Sequence, residues 1–277
     1  MEARHPLARV LFATDLTHDG DTAFAHALRI ALSSKGELAI VHAGTRRVGK
    51  AWEQFPRVRA SLAGWGVLEP GVAAAEVEAR LGLHVRKIDV PDDPRHGVLD
   101  VLERRPCDLV VLATHARAGL ERLLLPSFAE PIAREGHTPA LVLPTGSSGF
   151  VDPATGGATL HNILIPVDSR PPAGRAIELA VALADVLDQS GAVIHLLHAG
   201  PDFPELELPA ALEPRLRRRA MPAPVVEAIL ETAEKVRADL IVMPTRGHDS
   251  LADTLRGSTT EQVLRRANLP VLAVPAH

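Results

Sequence analysis

Short apolar runs alternate along this chain with longer stretches in which apolar residues recur at helical spacing. The runs Leu109–Leu112 and Leu240–Met243 are apolar at consecutive positions, which is typical of strands buried on both faces of a sheet. Elsewhere apolar residues return every three or four positions, as Ile177, Ala180 and Leu183 do, and this spacing predicts amphipathic helices. Repeated strand–helix units predict a parallel sheet covered by helices.

The same pattern occurs twice in the sequence. Val10–Asp15 and Ile163–Asp168 are each an apolar run that ends in Asp, and a turn-rich stretch and a helical pattern follow each of them. Further along, Cys107–Thr114 matches Ala238–Thr245 at an offset of 131 residues. An internal repeat of this length indicates two similar α/β domains in tandem. Ligands on parallel sheets bind outside the carboxyl ends of the strands, where the Asp and Thr residues of these runs fall.

The two copies differ in length, and a boundary separates them. The first copy is longer before Cys107, where Val72–Leu81 predicts a helix that is shortened or missing in the second copy. Gly146–Gly149 and Asp152–Gly157 are rich in turn-forming residues and predict a linker. We therefore expect one domain over residues 1–148 and another over residues 158–277.

Composition narrows the class of protein. Hydrophobic residues make up 46% of the 277 residues, which is ample for packed cores. The formal net charge of −4 argues against nucleic-acid binding, and aromatic residues, at 3% with no tyrosine, argue against a base-stacking platform. The single cysteine, Cys107, excludes an intrachain disulfide, and we expect it to be inert. Without a long apolar run or a signal-peptide pattern at residues 1–6, we expect a cytoplasmic protein with no membrane contact.

Several motifs occur in order in the second copy. Pro244–Gly247 is followed by nine residues and then by Gly257–Thr260, while Pro166–Asp168 ends the first strand and Leu269–Val274 forms the last. This arrangement resembles the universal stress protein family, and the resemblance covers nearly the whole chain as two tandem copies. It implies an α/β fold of two tandem parallel-sheet sandwiches of the Rossmann-like, adenine-nucleotide α-hydrolase-like type.

The resemblance also implies an adenine nucleotide in the second domain: ATP, or else ADP or AMP, with Mg²⁺ if the phosphates need it. The matching Asp of nucleotide-binding members lies at the adenine, and the loop glycines and hydroxyls hold the ribose and phosphates. Glycines let backbone N–H groups approach a phosphate closely, and a helix N-terminus favours an anion. The residues implied to bind are Pro166, Asp168, Ala199, Met243, Gly247, Gly257, Ser258 and Thr259.

Both copies depart from the family motif. Pro244 replaces the first loop glycine of the second copy and has no N–H to offer a phosphate. In the first copy Ala113 and Ala116 replace both loop glycines, and Pro126 replaces the glycine before Ser127. We therefore expect nucleotide binding in the second domain, with the first as its structural partner.

Structural roles remain open for several of these residues. Ser258 and Ser127 each precede a Glu by three residues, which is the pattern of a helix capping box. Asp15 and Asp168 could instead shape the turns that follow them. Asp108 and Asp239 begin buried strands, and we expect each to hold a neighbouring loop rather than a ligand.

The sequence contains no catalytic signature and no metal-ligand spacing, despite 13 histidines. We therefore expect no catalytic residues, no metal site and a regulatory nucleotide, with slow hydrolysis at most. The alternatives are an interaction scaffold that binds no nucleotide and, less favoured, an enzyme of AMP-transfer chemistry. Ala140–Leu143 and Val271–Val274 are expected to pair within one chain, and a further homodimer is plausible by the resemblance.

Overall fold

The computed structural model describes residues 5–44, 57–114, 137–245 and 258–276. In the first half of this described part, α-helices alternate with strands along much of the chain. The strands of this half are β1 (Arg9–Ala13), β2 (Glu37–Ala43), β3 (His84–Val90), β4 (Leu109–Thr114) and β5 (Ala140–Pro144). Its α-helices are α1 (Asp21–Ser33), α2 (Val58–Gly64), α3 (Ala74–Leu81) and α4 (Pro94–Arg104).

The second half repeats this order of strands and differs from the first between its second and third strands. Between its second and third strands the described chain forms a 3₁₀-helix, Ala210–Arg215, where the first half has α2 and α3. The strands are β6 (Asn162–Pro166), β7 (Val193–His198), β8 (Leu216–Ala220), β9 (Leu240–Thr245) and β10 (Val271–Pro275). The α-helices are α5 (Gly174–Val186), α6 (Val225–Val236) and α7 (Thr259–Arg266).

The strands form a ten-stranded sheet in the order β3-β2-β1-β4-β5-β10-β9-β6-β7-β8. Neighbouring strands within each half are parallel, as the alternating pattern predicts. At the middle of the sheet β5 and β10 run antiparallel, with Val142 opposite Val271 and Ala140 opposite Ala273. Counted from either edge of the sheet, the strands of each half therefore follow the same order: third, second, first, fourth and fifth. The mixed α/β fold expected from the repeat is confirmed.

Helices cover both faces of the sheet, and consecutive strand residues serve the two cores in turn. In β4, Leu109 and Val111 pack into the core beneath α1 and α5, while Val110 and Leu112 pack into the core beneath α4, α6 and α7. All four side chains are at most 2% exposed. This two-sided burial is the reason that the central strands are apolar at every position.

Helix boundaries follow local capping chemistry. The Asp93 carboxylate accepts hydrogen bonds from Arg95 N (3.0 Å) and His96 N (3.4 Å) at the start of α4, and Pro94 occupies its first turn. Helix α3 ends at Gly82, whose φ of 65° is the left-handed conformation that a glycine adopts without strain. Its span lies within the helix that the periodicity of Val72–Leu81 predicts.

The segment with linker composition is packed against the first half. His26, in α1, lies edge-on to Phe150 with ring centroids 4.4 Å apart, and its Nε2 accepts hydrogen bonds from Phe150 N and Val151 N. The Trp65 Nε1 donates to Pro153 O at 2.9 Å. Gly156 approaches the Trp65 ring so closely that an added Cβ would lie 2.4 Å from Cδ2. The domain limits 1–148 and 158–277 stay a prediction.

Candidate functional site

The carboxyl ends of β6 and β9 lie side by side at one edge of the second half. These two strands are parallel neighbours, with Ile163 opposite Leu240 and Leu164 opposite Ile241. Pro166 ends β6 and is partly buried, and Asp168 follows it with an exposed side chain. The fold therefore brings the first-strand Asp and the end of β9 to the same edge, as the topology of parallel sheets requires.

The two first-strand aspartates have different partners. The Asp15 Oδ1 accepts from Thr17 N (2.9 Å) and Thr17 Oγ1 (2.8 Å), so this carboxylate shapes the turn after β1. The Asp168 Oδ1 accepts from the N–H (2.7 Å) and the Oγ (3.4 Å) of its neighbour Ser169. Both carboxylates are exposed and accept from the N–H and the hydroxyl of a residue that follows them, and the hydroxyl contact is the longer one at Asp168.

The end of β9 carries a buried hydroxyl group. Thr245 is 5% exposed, and in the described part of the chain its Oγ1 has no hydrogen-bond partner. Met243 precedes it on the same face and is 3% exposed, within the core beneath α6 and α7. A buried polar atom without a partner is costly, so Thr245 marks a place where a polar ligand group would be stabilising.

The start of α7 presents the next group of candidate residues. The Ser258 Oγ accepts from Glu261 N at 3.0 Å, which confirms the capping role that the Ser-x-x-Glu pattern predicts. The Glu261 carboxylate is ion-paired with Arg265. Thr259 is exposed at the first position of the helix. A hydroxyl can accept and donate at once, so capping by Ser258 is compatible with an anion at this helix end.

Ala199 lies in the His-Ala-Gly sequence at the end of β7. The contacts of its two neighbours give a reason for the glycine in that sequence. An added Cβ on Gly200 would lie 2.3 Å from His198 Nε2, and one on Gly44 would lie 3.0 Å from His42 Cε1. The glycine is needed in both halves because the histidine ring two residues earlier occupies the space. His198 Nδ1 is 3.1 Å from Val167 O, which holds the backbone just before Asp168.

Some predicted residues lie outside the described part of the chain. These are the loop glycines Gly247 and Gly257 of the second half, and Ala116, Pro126 and Ser127 of the first. Pro166, Asp168, Ala199, Met243, Ser258 and Thr259 are described, and the ends of β6 and β9 place Pro166, Asp168 and Met243 near the same sheet edge.

The universal stress protein family model matches residues 7–144 and 222–275. This chain belongs to the universal stress protein family. The match falls on both halves, in agreement with the ten-stranded double fold.

Relatives of this universal stress protein agree with the assignment. A universal stress protein of Methanocaldococcus jannaschii is 38% identical over 50 residues, which is 18% of this chain and 29% of that protein. One from Mycobacterium bovis is 27% identical over 188 residues, 60% of this chain and 61% of that protein. The crystal structure of a universal stress protein from Archaeoglobus fulgidus has a TM-score of 0.64 at 18% identity, covering 99% of this chain and 98% of that chain.

These alignments span less than two thirds of both curated relatives. At 18% identity the Archaeoglobus structure shows the shared fold alone. What this universal stress protein binds therefore has to be argued from its own residues.

Outside the site, the acidic residues at the strand starts have structural partners. The Asp239 Oδ2 accepts from His161 N (2.7 Å) and Asn162 N (2.8 Å), and Asp108 accepts from Arg9 N (2.8 Å) and Arg9 Nη2 (2.9 Å). Each carboxylate ties the start of one central strand to its neighbour. The predicted partner was a neighbouring loop, and in the structure the carboxylates hold the starts of β1 and β6 instead.

Cys107 and the histidines give no sign of metal or redox chemistry in the described ranges. Burial raises the pKa of the Cys107 thiol to about 12, so it stays protonated and unreactive at neutral pH. No group of three or more His, Cys, Asp or Glu side chains suited to a metal ion occurs among the described residues. Nor do those residues include a helix long and apolar enough to cross a membrane.

Sequence reasoning missed one residue with a structural task, His26. No motif contains it, and its role depends on Phe150 and Val151, more than 120 positions away in the chain. Its position on the apolar face of α1, between alanines that are buried, is the one local signal that it is a core residue.

Proposed function

We propose that this protein binds an adenine nucleotide, with ATP favoured and ADP or AMP as alternatives, at the carboxyl edge of its second half. The nucleotide has a regulatory rather than a rapidly catalytic role, in a cytoplasmic stress-response protein. Mg²⁺ accompanies it where the phosphates need a counter-ion. No side chain is assigned as catalytic.

One observation carries the proposal: the neighbouring ends of β6 and β9 offer a carboxylate and an unsatisfied hydroxyl together. Asp168 is exposed just after β6, and the Thr245 Oγ1 is buried without a partner among the described residues. A carboxylate accepts hydrogen bonds from an adenine amino group or a ribose hydroxyl, and a hydroxyl serves either partner. Ser258 and Thr259 at the start of α7 add donors on the side where an anion is favoured.

The difference between the two halves supports a single site. The first-half loop has Ala113, Ala116 and Pro126 where nucleotide-binding family members have glycines. We therefore propose that the first half is a structural partner of the second, with residues 1–148 and 158–277 as the two domains.

The pairing of the halves belongs to the same proposal. The antiparallel register of β5 and β10 supports assembly of the two domains within one chain, since Ala140, Leu141, Leu272 and Ala273 are fully buried there. A further homodimer through another surface is compatible with this arrangement.

The repeat supplies matched variants for a test. Gly257→Glu adds bulk and negative charge where the second-half loop should meet phosphate, and Pro126→Glu makes the same change at the equivalent first-half position. We expect the freshly purified protein to release adenine nucleotide on denaturation at close to one per chain. Gly257→Glu is expected to release less than a tenth of that amount, and Pro126→Glu the same amount as the wild type.

Asp168→Asn and Asp15→Asn form a second matched pair, read out by calorimetric titration with ATP. We expect Asp168→Asn to weaken binding about tenfold, the effect of one hydrogen bond to a charged group, and Asp15→Asn to leave binding unchanged. The proposal is wrong if the wild type releases no nucleotide on denaturation and calorimetry detects no binding of ATP at millimolar concentration. A scaffold protein of the same fold then remains as the alternative. Equal losses in the matched variants would place the site elsewhere.

A further inference from the structure

A buried histidine of the second half has one ring nitrogen without a hydrogen-bond partner among the described residues. His195 lies on β7 and is 7% exposed, and its Nε2 is 3.2 Å from the Oδ1 of Asn162 on β6. Because an amide oxygen only accepts, Nε2 carries the ring proton and Nδ1 presents a lone pair. The Nδ1 is buried and unpaired in the described ranges. A ligand that donates a hydrogen bond would therefore be stabilising here.

Two arginines of the edge strand β8 share the face of the sheet on which His195 lies. Arg217 is directly opposite His195 in the parallel register, and Arg219 comes two residues later, so its side chain is on the same face. Strands β6 and β8 are on opposite sides of β7. Because Nε2 is directed to Asn162 on β6, the unpaired Nδ1 is directed away from that strand.

The charges of these two arginines are not balanced by carboxylates. The Arg217 Nη1 donates to the backbone oxygens of Pro214 (3.1 Å) and Leu216 (2.8 Å), and Arg219 has no ion pair in the described part of the chain. Burial lowers the pKa of His195, and the charges of Arg219 and Arg217 lower it further, with no described carboxylate opposing them. Like charges held together in this way favour an anion.

Protection of the sheet edge explains other arginines of this segment but not His195. Arg218, on the opposite face of β8, makes hydrogen bonds of 2.8 and 2.7 Å to the Glu213 carboxylate, and the Arg215 Nη1 is 3.1 Å from Asp185 Oδ1. Charged side chains on an edge strand commonly prevent pairing with another sheet. His195 lies on the interior strand β7, where no such protection is needed.

The first half shows that the fold does not require these polar groups. Three residues before the histidine of the His-Ala-Gly sequence, β2 has Ala39 where β7 has His195. Opposite Ala39, Arg86 forms an ion pair with Glu37, its Nε 3.1 Å from Oε1, and the next residue on that face of β3 is the apolar Ile88. A polar set that only one copy of the fold contains is a sign of ligand binding rather than of folding.

We propose that His195, Arg217 and Arg219 bind inorganic phosphate at the outer edge of the second half. The phosphate oxygens accept hydrogen bonds from the two guanidinium groups, and a phosphate hydroxyl donates to the His195 Nδ1. Both arginine side chains are exposed, so phosphate reaches them from solvent and they turn with it toward the ring. Phosphate keeps a hydroxyl at neutral pH and sulfate has none, so the bond to Nδ1 selects phosphate. The inference is independent of the nucleotide proposal, because the two sites share no residue.

Calorimetric titration of the full chain with phosphate and with sulfate, at neutral pH and equal ionic strength, tests the proposal. We expect saturable binding of phosphate, about tenfold or more tighter than that of sulfate, the effect of one hydrogen bond. The ring nitrogen resonances of His195, identified by their loss in His195→Ala, are expected to shift as phosphate is added. Gly257→Glu, in the proposed nucleotide loop, is expected to bind phosphate as the wild type does.

Matched variants then test each group. Arg217→Gln and Arg219→Gln are expected to weaken phosphate binding about tenfold, whereas Arg218→Gln, on the opposite face of the same strand, leaves it unchanged. His195→Ala introduces the residue of the equivalent first-half position and is expected to lower the affinity for phosphate to that for sulfate. His195→Leu replaces it if circular dichroism shows that His195→Ala is unfolded.

Several results would overturn the proposal. Absence of saturable phosphate binding is one, and equal affinity of the wild type for phosphate and sulfate is another. An equal loss in Arg218→Gln and Arg219→Gln would reduce the effect to net charge, which is also a refutation. Unshifted His195 resonances, or loss of phosphate binding in Gly257→Glu, would place the anion elsewhere and refute the proposal as well.

Discussion

At the scale of single residues, His26 ties α1 to the segment that connects the two halves. Its Nδ1 is 2.7 Å from Thr22 O and acts as the donor, because Nε2 accepts from Phe150 N (2.9 Å) and Val151 N (3.1 Å). The ring is fully buried and must therefore be neutral to make these bonds. Burial lowers the pKa of His26 from 6.5 to about 4, against the opposing effect of the Thr22 carbonyl.

This pKa predicts how the free energy of unfolding depends on pH. Between pH 6.5 and about 4 the unfolded chain binds a proton at His26 that the folded chain does not. The stability due to neutral His26 is therefore complete above pH 6.5 and is lost as the pH falls toward 4. The shift corresponds to about 3 kcal/mol.

Urea unfolding of the wild type and of His26→Ala across this pH range measures the effect. We expect the difference in unfolding free energy between the two proteins to shrink by about 3 kcal/mol as the pH falls from 7 toward 4. His161→Ala, which removes an exposed ring, serves as the control, and its unfolding free energy should depend on pH as that of the wild type does. A difference that is independent of pH would mean that His26 is not buried and neutral.

At the scale of elements, the starts of the central strands are joined by two equivalent carboxylates. Asp239 precedes β9 and binds two backbone N–H groups at the start of β6, while Asp108 precedes β4 and binds Arg9 at the start of β1. The position of each Asp before a buried strand predicted a structural role, because such a carboxylate has no apolar surface to contribute and must find donors nearby.

Asp239→Ala should therefore destabilise the protein. It removes two hydrogen bonds to a charged acceptor, one of them from an exposed N–H and one from a partly buried N–H, which costs about 2–4 kcal/mol. Asp239→Asn keeps one acceptor oxygen and should lose about half as much. Chemical denaturation checks both values, with the exposed Asp202→Ala as control. A cost for Asp239→Ala no greater than that for Asp202→Ala would contradict the structural role.

The pattern of apolar positions predicted the elements unequally well. The runs at β4 and β9 and the helix within Val72–Leu81 were predictable because each has a clear period or a continuous apolar stretch. Helix α2 was not predicted, since its seven residues include two that are buried, Val58 and Leu62, too few to establish a period. A groove between α2, α3 and β3, which α2 helps to line, was for that reason also not predicted from the sequence.

At the scale of the whole molecule, the segment after β5 holds the second half to the first. Its composition predicted a linker, and a linker of this kind is usually a flexible spacer. Here Phe150 and Val151 are each 1% exposed, and Trp65 bonds to Pro153 O and packs beneath Gly156. Long-range packing thus overrides the local tendency of Gly, Ser and Pro toward irregular, solvated chain.

Limited proteolysis of the folded protein tests this packing. Trp65→Ala removes both the bond to Pro153 O and the ring beneath Gly156, so we expect cleavage within residues 146–157 to become about tenfold faster. Trp65→Phe retains a ring without the N–H donor and should give an intermediate rate. Val225→Ala, at an exposed position in the second half, is the control and should leave the rate unchanged. Equal cleavage of wild type and Trp65→Ala would show that the segment does not depend on this contact.

The positions of Asp168 and Thr245 in the fold were predictable from the sequence, whereas their contacts were not. That Asp168 and Thr245 meet at one sheet edge follows from parallel strands, whose carboxyl ends share an edge. That Asp15 is engaged by Thr17, and that the Thr245 hydroxyl is buried without a described partner, depends on how neighbouring side chains fill space. Spacing in a sequence does not record such contacts.

The sequence by itself determined the duplication, the alternation of strands and helices and the edge of the sheet at which Asp168 and Thr245 lie. These properties are local or periodic, because burial of one or both faces of a strand or helix sets the spacing of apolar residues along the chain. The tertiary structure alone decided the register of β5 against β10, the burial of His26 under Phe150 and the groove beside β3. Each of these joins residues that are far apart in the chain, and their contact depends on the packing of the whole fold.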